Sequence, residues 1–191
     1  MARAGLTPEV LTQAAAELAD EIGFAKVTVA AVARRFGVKD ASLYSHVRNL
    51  RELQVRVAEA AFHELADQVA SAIAGLSGRA ALAALTDGYR RFAAEHPGQY
   101  ASMRIEIEPG SSAARAGARH AALSRAVLRS YALEEPDATD ALRMMNSTLH
   151  GFVELELAGG FSHSERSAAD SWAATLVALD AILANWPSAA S

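Results

Sequence analysis

Apolar positions recur along most of this chain at intervals of three and four residues, the spacing that lines one face of an α-helix. Val10, Leu11, Ala14, Ala15, Leu18, Ala19 and Ile22 form the first such stripe. Thr7-Pro8 opens it with an N-cap threonine and a first-turn proline, and Gly23 closes it. Thr28 caps a second, two-turn stripe of Val29, Val32, Ala33 and Phe36, which stops at Gly37. A third short helix carries Leu43, Tyr44 and Val47. Asn49 then caps a long helix to about residue 74, with Leu53, Val57, Ala60, Ala61, Leu65 and Val69 inward. Further helices are expected over residues 79–96, 100–107, 112–133, 134–158 and 164–186, divided by glycine and proline breaks such as Pro97-Gly98, Pro109-Gly110 and Gly159-Gly160. The pattern predicts an all-α fold of about nine helices with no convincing strand. From Pro187 onward the tail is expected to fray.

Composition agrees with this reading. The 191 residues include 45 alanines, only 12 glycines and 5 prolines, a balance that favours helix over sheet. No apolar run is long enough to span a bilayer, and Met1 to Gly5 has no signal-peptide core, so no membrane partner is expected. With no cysteine, a disulfide framework, a thiol nucleophile and a cysteine zinc site are excluded, and a cytoplasmic location is expected. The formal net charge is −4, but it is unevenly spread. Between Phe24 and Arg56, seven basic residues (Lys26, Arg34, Arg35, Lys39, Arg48, Arg51, Arg56) face only Asp40 and Glu52, a local charge of +5. Such a window is either a footprint for phosphate or a solvated helical surface.

Residues 28–47 choose between these alternatives. Two short apolar-faced helices joined by a glycine have the spacing of a helix-turn-helix, with Ala33, Val38 and Leu43 small or apolar where the helices cross. Tyr44, His46 and Arg48 then lie at the rim, and Thr28 offers a hydroxyl at a helix N-terminus, an anion-binding position. Short helices with a glycine turn are common in all-α proteins. The longer pattern is more specific: Ala14-Ala15-x-x-Leu18, Gly23-Phe24, Val27-Thr28-Val29, Val32-Ala33, Phe36-Gly37-Val38, Leu43-Tyr44-Ser45-His46-Val47 and Leu50-Arg51-Glu52-Leu53. Residues 7–56 thereby resemble the DNA-binding domain of the TetR family of transcriptional regulators. The resemblance implies phosphate contacts from Thr28, Tyr44 and His46, and base-edge positions at Lys39, Asp40, Ala41 and Ser45, while Arg48 is a DNA-facing candidate from its place at the rim. Two positions depart from the family pattern. Lys39-Asp40 replaces a common serine, where Asp40 is either a reader of a cytosine amino group or a helix cap. Leu50 replaces a phosphate-binding lysine, a loss that Arg48 or Arg51 would offset.

The remainder, residues 57–187, is expected to be a regulatory domain for ligand binding and dimerisation. Its segments "HPGQY" (residues 96–100) and "LHGFVELELAGGF" (residues 149–161) resemble the C-terminal domain of a TetR subgroup named for tryptophan, histidine and glycine. His150-Gly151 is present, and Asn146 stands where the tryptophan is often found. Tyr89, Phe92, Tyr100, Met103, Leu149, His150 and Val153 are the candidates for a site holding a small-molecule effector, though ordinary core packing accounts for each. The apolar faces Leu142, Met145, Leu149, Phe152 and Trp172, Leu176, Leu179, Leu183 are the candidate homodimer interface, with monomeric core as the alternative. His150 and Glu154 are four apart, but two ligands are too few for a metal. His63, His120 and His163 are expected to face solvent.

No nucleophile elbow, phosphate-binding glycine loop or paired metal motif occurs, so neither catalytic residues nor a cofactor are assigned. The expected function is a ligand-responsive repressor that binds a palindromic double-stranded DNA operator as a homodimer. The rival readings are a helical enzyme and a helical adaptor that does not bind DNA.

Overall fold

A computed structural model describes residues 5–187. The expectations for residues 1–4 of the N-terminus and for the tail after Pro187 lie outside the described residues. Their regular elements are all helical, without a strand among the described residues. The α-helices are α1 (Pro8–Ile22), α2 (Val29–Phe36), α3 (Leu50–Ile73), α4 (Gly78–Glu95), α5 (Pro97–Ser102), α6 (Ser112–Leu128), α7 (Asp137–Leu157) and α8 (Ala168–Ala184). A ninth helical element, Asp40–Ser45, has 3-10 form, and single 3-10 turns occupy Phe24–Lys26 and Arg129–Tyr131.

Local chemistry sets most of these limits. The Thr7 hydroxyl accepts the Val10 N–H at 3.3 Å, with Pro8 in the first turn of α1. Thr28 accepts the Ala31 N–H at 3.1 Å to start α2. Gly37, at φ 65° and ψ 29°, ends it: its N–H reaches the Arg34 carbonyl while the Val38 N–H reaches that of Ala33. This is a Schellman closure, and its left-handed residue favours glycine. Several expected limits move. The helix placed at 100–107 occupies Pro97–Ser102, because a proline suits the first helical position, where no N–H is needed, and residues 103–107 lie outside it. The helix placed from 134 begins at Asp137. The last helix starts at Ala168 rather than near Ser164, because the Ser167 hydroxyl accepts the Asp170 N–H at 3.0 Å.

The chain divides into two compact units. The first comprises residues 1–64 and 95–118, the second 65–94 and 119–191. This differs from an expected division after residue 56, because α5 and the start of α6 join the N-terminal helices. The first unit's core is built from Leu11, Ala15, Leu18, Val32, Leu43, Val47, Leu53 and Val57, all buried. The second unit buries Leu82, Leu85, Phe92, Met145, Leu149, Trp172, Leu179 and Leu183. There Phe152 packs 4.8 Å from Trp172 between ring centroids, and the Trp172 indole N–H donates to Asp87 at 2.9 Å.

Candidate nucleic-acid interface

The α2–Gly37–(40–45) segment presents one apolar and one wet face. Leu43 is fully buried and Val47 nearly so, while Tyr44 between them is 55% exposed. A large ring left outside a packed element by its own register is available to a partner. Thr28, Lys39, Asp40, Ala41, Ser45 and Arg48 are also exposed, and His46 is half-buried. The first unit therefore brings all eight expected DNA-facing residues to accessible positions. The recognition element itself is tighter than the expected helix. It is only six residues long, and Ser45 turns its hydroxyl back onto the Ser42 carbonyl at 2.8 Å, a local bond that competes with regular helix. No side chain caps its start, so the capping alternative for Asp40 finds no hydrogen bond, and its carboxylate is left at the surface.

The junction into α3 is organised by Glu52. Its carboxylate accepts the Arg48 backbone N–H at 2.8 Å and the Arg48 Nε–H at 3.0 Å, and its other oxygen accepts two N–H groups of Arg56 at 3.0 and 3.1 Å. The Asn49 side chain in turn accepts the Glu52 N–H at 2.8 Å. The Arg48 backbone N–H first, then the Arg48 and Arg56 side chains, hold the Glu52 carboxyl down at about 2. Arg48 keeps 87% of its side-chain surface while so held, whereas Arg51 donates to the Glu106 carbonyl. Both arginines expected to offset Leu50 are thus exposed, Arg48 paired with Glu52 and Arg51 with one N–H taken up by the Glu106 carbonyl. Beside them, a cleft of about 620 Å³ is lined by Arg48, Arg51, Arg56, Glu52, Glu59 and Glu106, a wall of mixed charge.

The expected effector and dimer residues fare differently. Tyr89, Phe92, Leu149, His150 and Val153 belong to the second unit and Tyr100 and Met103 to the first, so the seven do not form one cluster within either. Phe92, Leu149, Val153, Tyr89 and Tyr100 are buried core side chains. His120, expected in solvent, is only 6% exposed: its Nδ1 lies 2.7 Å from the Tyr89 hydroxyl. Burial pushes the Tyr89 hydroxyl up to about 12, against a hydrogen bond with Ser124 that pulls it down. His150 packs its ring edge-on to Tyr89 at 5.9 Å. The dimer set also needs correction. Leu142, Met145, Leu149, Trp172, Leu176, Leu179 and Leu183 are all buried within the chain, and Phe152 is sandwiched by Phe161 and Trp172. Their periodicity marked the second unit's own core. The large apolar side chains that α7 and α8 leave exposed among the described residues are Leu155, Leu157, Val177 and Ile182. Among the described residues no group of three or more potential ligands is gathered for a metal, and no helix is long and apolar enough to cross a membrane.

A short exposed recognition element behind a left-handed glycine, on a packed three-helix base, defines a helix-turn-helix protein of the DNA-binding class. Residues 11–54 match the model described as "Bacterial regulatory proteins, tetR family", and residues 82–179 match "Tetracyclin repressor-like, C-terminal domain". The second match spans both segments that carried the C-terminal resemblance. An HTH-type transcriptional regulator of Mycobacterium tuberculosis is 34% identical over 160 residues, 82% of this chain and 72% of that protein. The HTH-type regulator YobS of Bacillus subtilis is 29% identical over 163 residues, 85% of each chain. Among solved structures, a protein of unknown function from Rhodococcus sp. RHA1 superposes with a TM-score of 0.79 at 23% identity, covering 94% of this chain and 96% of that one. The fold is also that of a TetR variant from Acinetobacter baumannii AYE solved with minocycline, with a TM-score of 0.66 at 20% identity, covering 95% and 96%. The chain belongs to the TetR family of bacterial transcriptional regulators.

Proposed function

We propose that this protein is a ligand-responsive repressor that binds a palindromic operator as a homodimer. Exposure of Tyr44 between buried Leu43 and Val47 is the observation that carries the DNA-binding reading. Thr28, Tyr44, His46 and Arg48 contact phosphates, and Lys39, Asp40, Ala41 and Ser45 face base edges. Affinity comes mainly from phosphate contacts and falls with rising salt. The test is titration of a duplex, selected by the protein from a randomised pool, at several salt concentrations. Binding that is absent, or indifferent to salt, would refute the reading.

Two copies join through the exposed faces of α7 and α8, where Val177 and Ile182 stand among the small residues Ala173, Ala174, Ala178 and Ala181. Small residues let two helices approach closely, and two such pairs make a four-helix interface. The effector is a small apolar or amphipathic molecule held in the second unit, where Tyr89, His120 and Ser124 supply polar groups inside an apolar surround. A thermal-shift screen of lipophilic compounds tests this, scored on the wild type and on Tyr89→Phe. Phe92→Ala is a poor probe, because emptying a fully buried ring position costs roughly 3–5 kcal/mol by itself.

A further inference from the structure

The last turn of α1 and the first turn of α5 meet at one carboxylate. Asp20 Oδ1 accepts the Gly98 and Gln99 backbone N–H groups, each at 2.9 Å. Its Oδ2 accepts the Gln99 side-chain amide at 2.8 Å and lies 3.0 Å from His96 Nδ1. The Asp20 side chain is only 18% exposed. Contact is equally close in the backbone: a Cβ on Gly98 would lie 2.0 Å from the carbonyl carbon and oxygen of Ala19. Only glycine lets the two segments touch there. The partners are 76 to 79 residues apart in sequence, yet all lie within the first unit.

Connectivity gives this contact its meaning. The chain leaves the first unit after residue 64 and re-enters it at residue 95, with only His96 between α4 and α5. On the other side, α1 grips the helix-turn-helix: Arg35 of α2 donates to Glu17 and Glu21 of α1 at 2.7 Å each. Leu11 and Leu18 of α1 share one core with Val32, Leu43 and Val47. We propose that Asp20 is a positioning residue for DNA binding: its carboxylate fastens α5 to α1, and so braces the helix against which the recognition element is packed. A recognition element already held in its binding geometry gains affinity, because none of the binding energy goes into ordering it. Loosening the clasp therefore weakens binding of a selected site and spares non-specific attraction to phosphate. This rests on the DNA-binding reading above.

Asp20→Asn tests it in the full-length chain, because it removes the charge that strengthens the bonds from the Gly98 and Gln99 N–H groups and puts an NH2 where Oδ2 accepts the Gln99 side chain. Gln99→Ala is the milder partner, removing one bond to Asp20 and leaving the carboxylate. Two duplexes of equal length are compared: one selected by the wild type from a randomised pool, and one unrelated. The expected result for Asp20→Asn is faster amide exchange at Gly98 and Gln99 and about tenfold weaker binding of the selected duplex. The unrelated duplex stays within about twofold, with an unchanged salt slope. Gln99→Ala shows the same selective loss at a smaller size. Faster exchange with wild-type binding, or equal weakening on both duplexes, overturns the proposal. Should Asp20→Asn fail to fold, Gln99→Ala decides by the same criteria. A wild type that binds neither duplex overturns the DNA-binding reading itself and this inference with it, an outcome distinct from variants that match a binding wild type.

Discussion

Leu43 and Tyr44 are adjacent, and the structure gives them opposite consequences. Leu43 has no exposed surface, whereas Tyr44 has 55%. Leu43→Ala removes a core side chain from a small unit and is expected to cost roughly 2–5 kcal/mol. For a chain of this size that is a fall in melting temperature of roughly 4–20 °C. Tyr44→Ala removes a ring that contributes little to packing, so its cost to stability is expected to stay within about 0.5 kcal/mol. Its cost to DNA binding is larger. A hydrogen bond to a charged group is worth about 1.5–3 kcal/mol, which corresponds to roughly 10–150-fold in affinity for each engaged head. The assay pairs thermal unfolding with fluorescence anisotropy on a labelled duplex. A Tyr44→Ala protein that melts like Leu43→Ala would place the ring in the core. One that melts and binds like the wild type would remove Tyr44 from the interface, and with it the observation carrying the functional reading.

Glu52→Ala is expected to cost about 1 kcal/mol, as loss of a helix-start acceptor does. Because the folded carboxyl sits at about 2 against an ordinary 4.5, its contribution is complete above 4.5 and fades as pH falls toward 2. The stability difference between wild type and variant, measured by urea unfolding across that range, should shrink with acidification, and a constant difference would exclude the carboxylate as its source. Val177→Glu with Ile182→Glu is expected to leave the single chain folded and abolish dimers, since both side chains are about half exposed in it (48% and 44%). Sedimentation equilibrium showing a persistent dimer would reject that face. Trp172→Phe keeps the ring stack and loses the indole hydrogen bond to Asp87, at a cost of about 1–2 kcal/mol, and unchanged urea stability would assign the indole no net role.

What could be read from the sequence was what neighbouring residues decide among themselves. Thr7, Thr28, Gly23 and Gly37 act within one turn of chain, and each stands where its chemistry placed it. The accessible face of the recognition element followed from the same local period, because Leu43 and Val47 are four apart and Tyr44 sits beside them. Periodicity has no means of naming the surface an apolar stripe covers. Leu179 and Leu183 and the exposed Val177 and Ile182 share one helix that is apolar nearly all round, so the expected interface and the chain's own core were interchangeable until coordinates separated them. His120 was misplaced for a related reason: its partner, Tyr89, is 31 residues away, and nothing near either residue advertises the other. The same holds most strongly for Asp20. On its own helix it is one more acidic residue near a C-terminal end, where the helix dipole disfavours it. Only contact with the amides opening α5 makes a carboxylate the appropriate group there. The segment "HPGQY" carried the other half of this signal, since a proline followed by a glycine both starts a helix and strips its first turn of bulk. What it lacked was any mark of the backbone it would lie against. The burial of His120 and the role of Asp20 thus share one cause, pairings between residues far apart in sequence, and one such pairing draws α5 into the first unit.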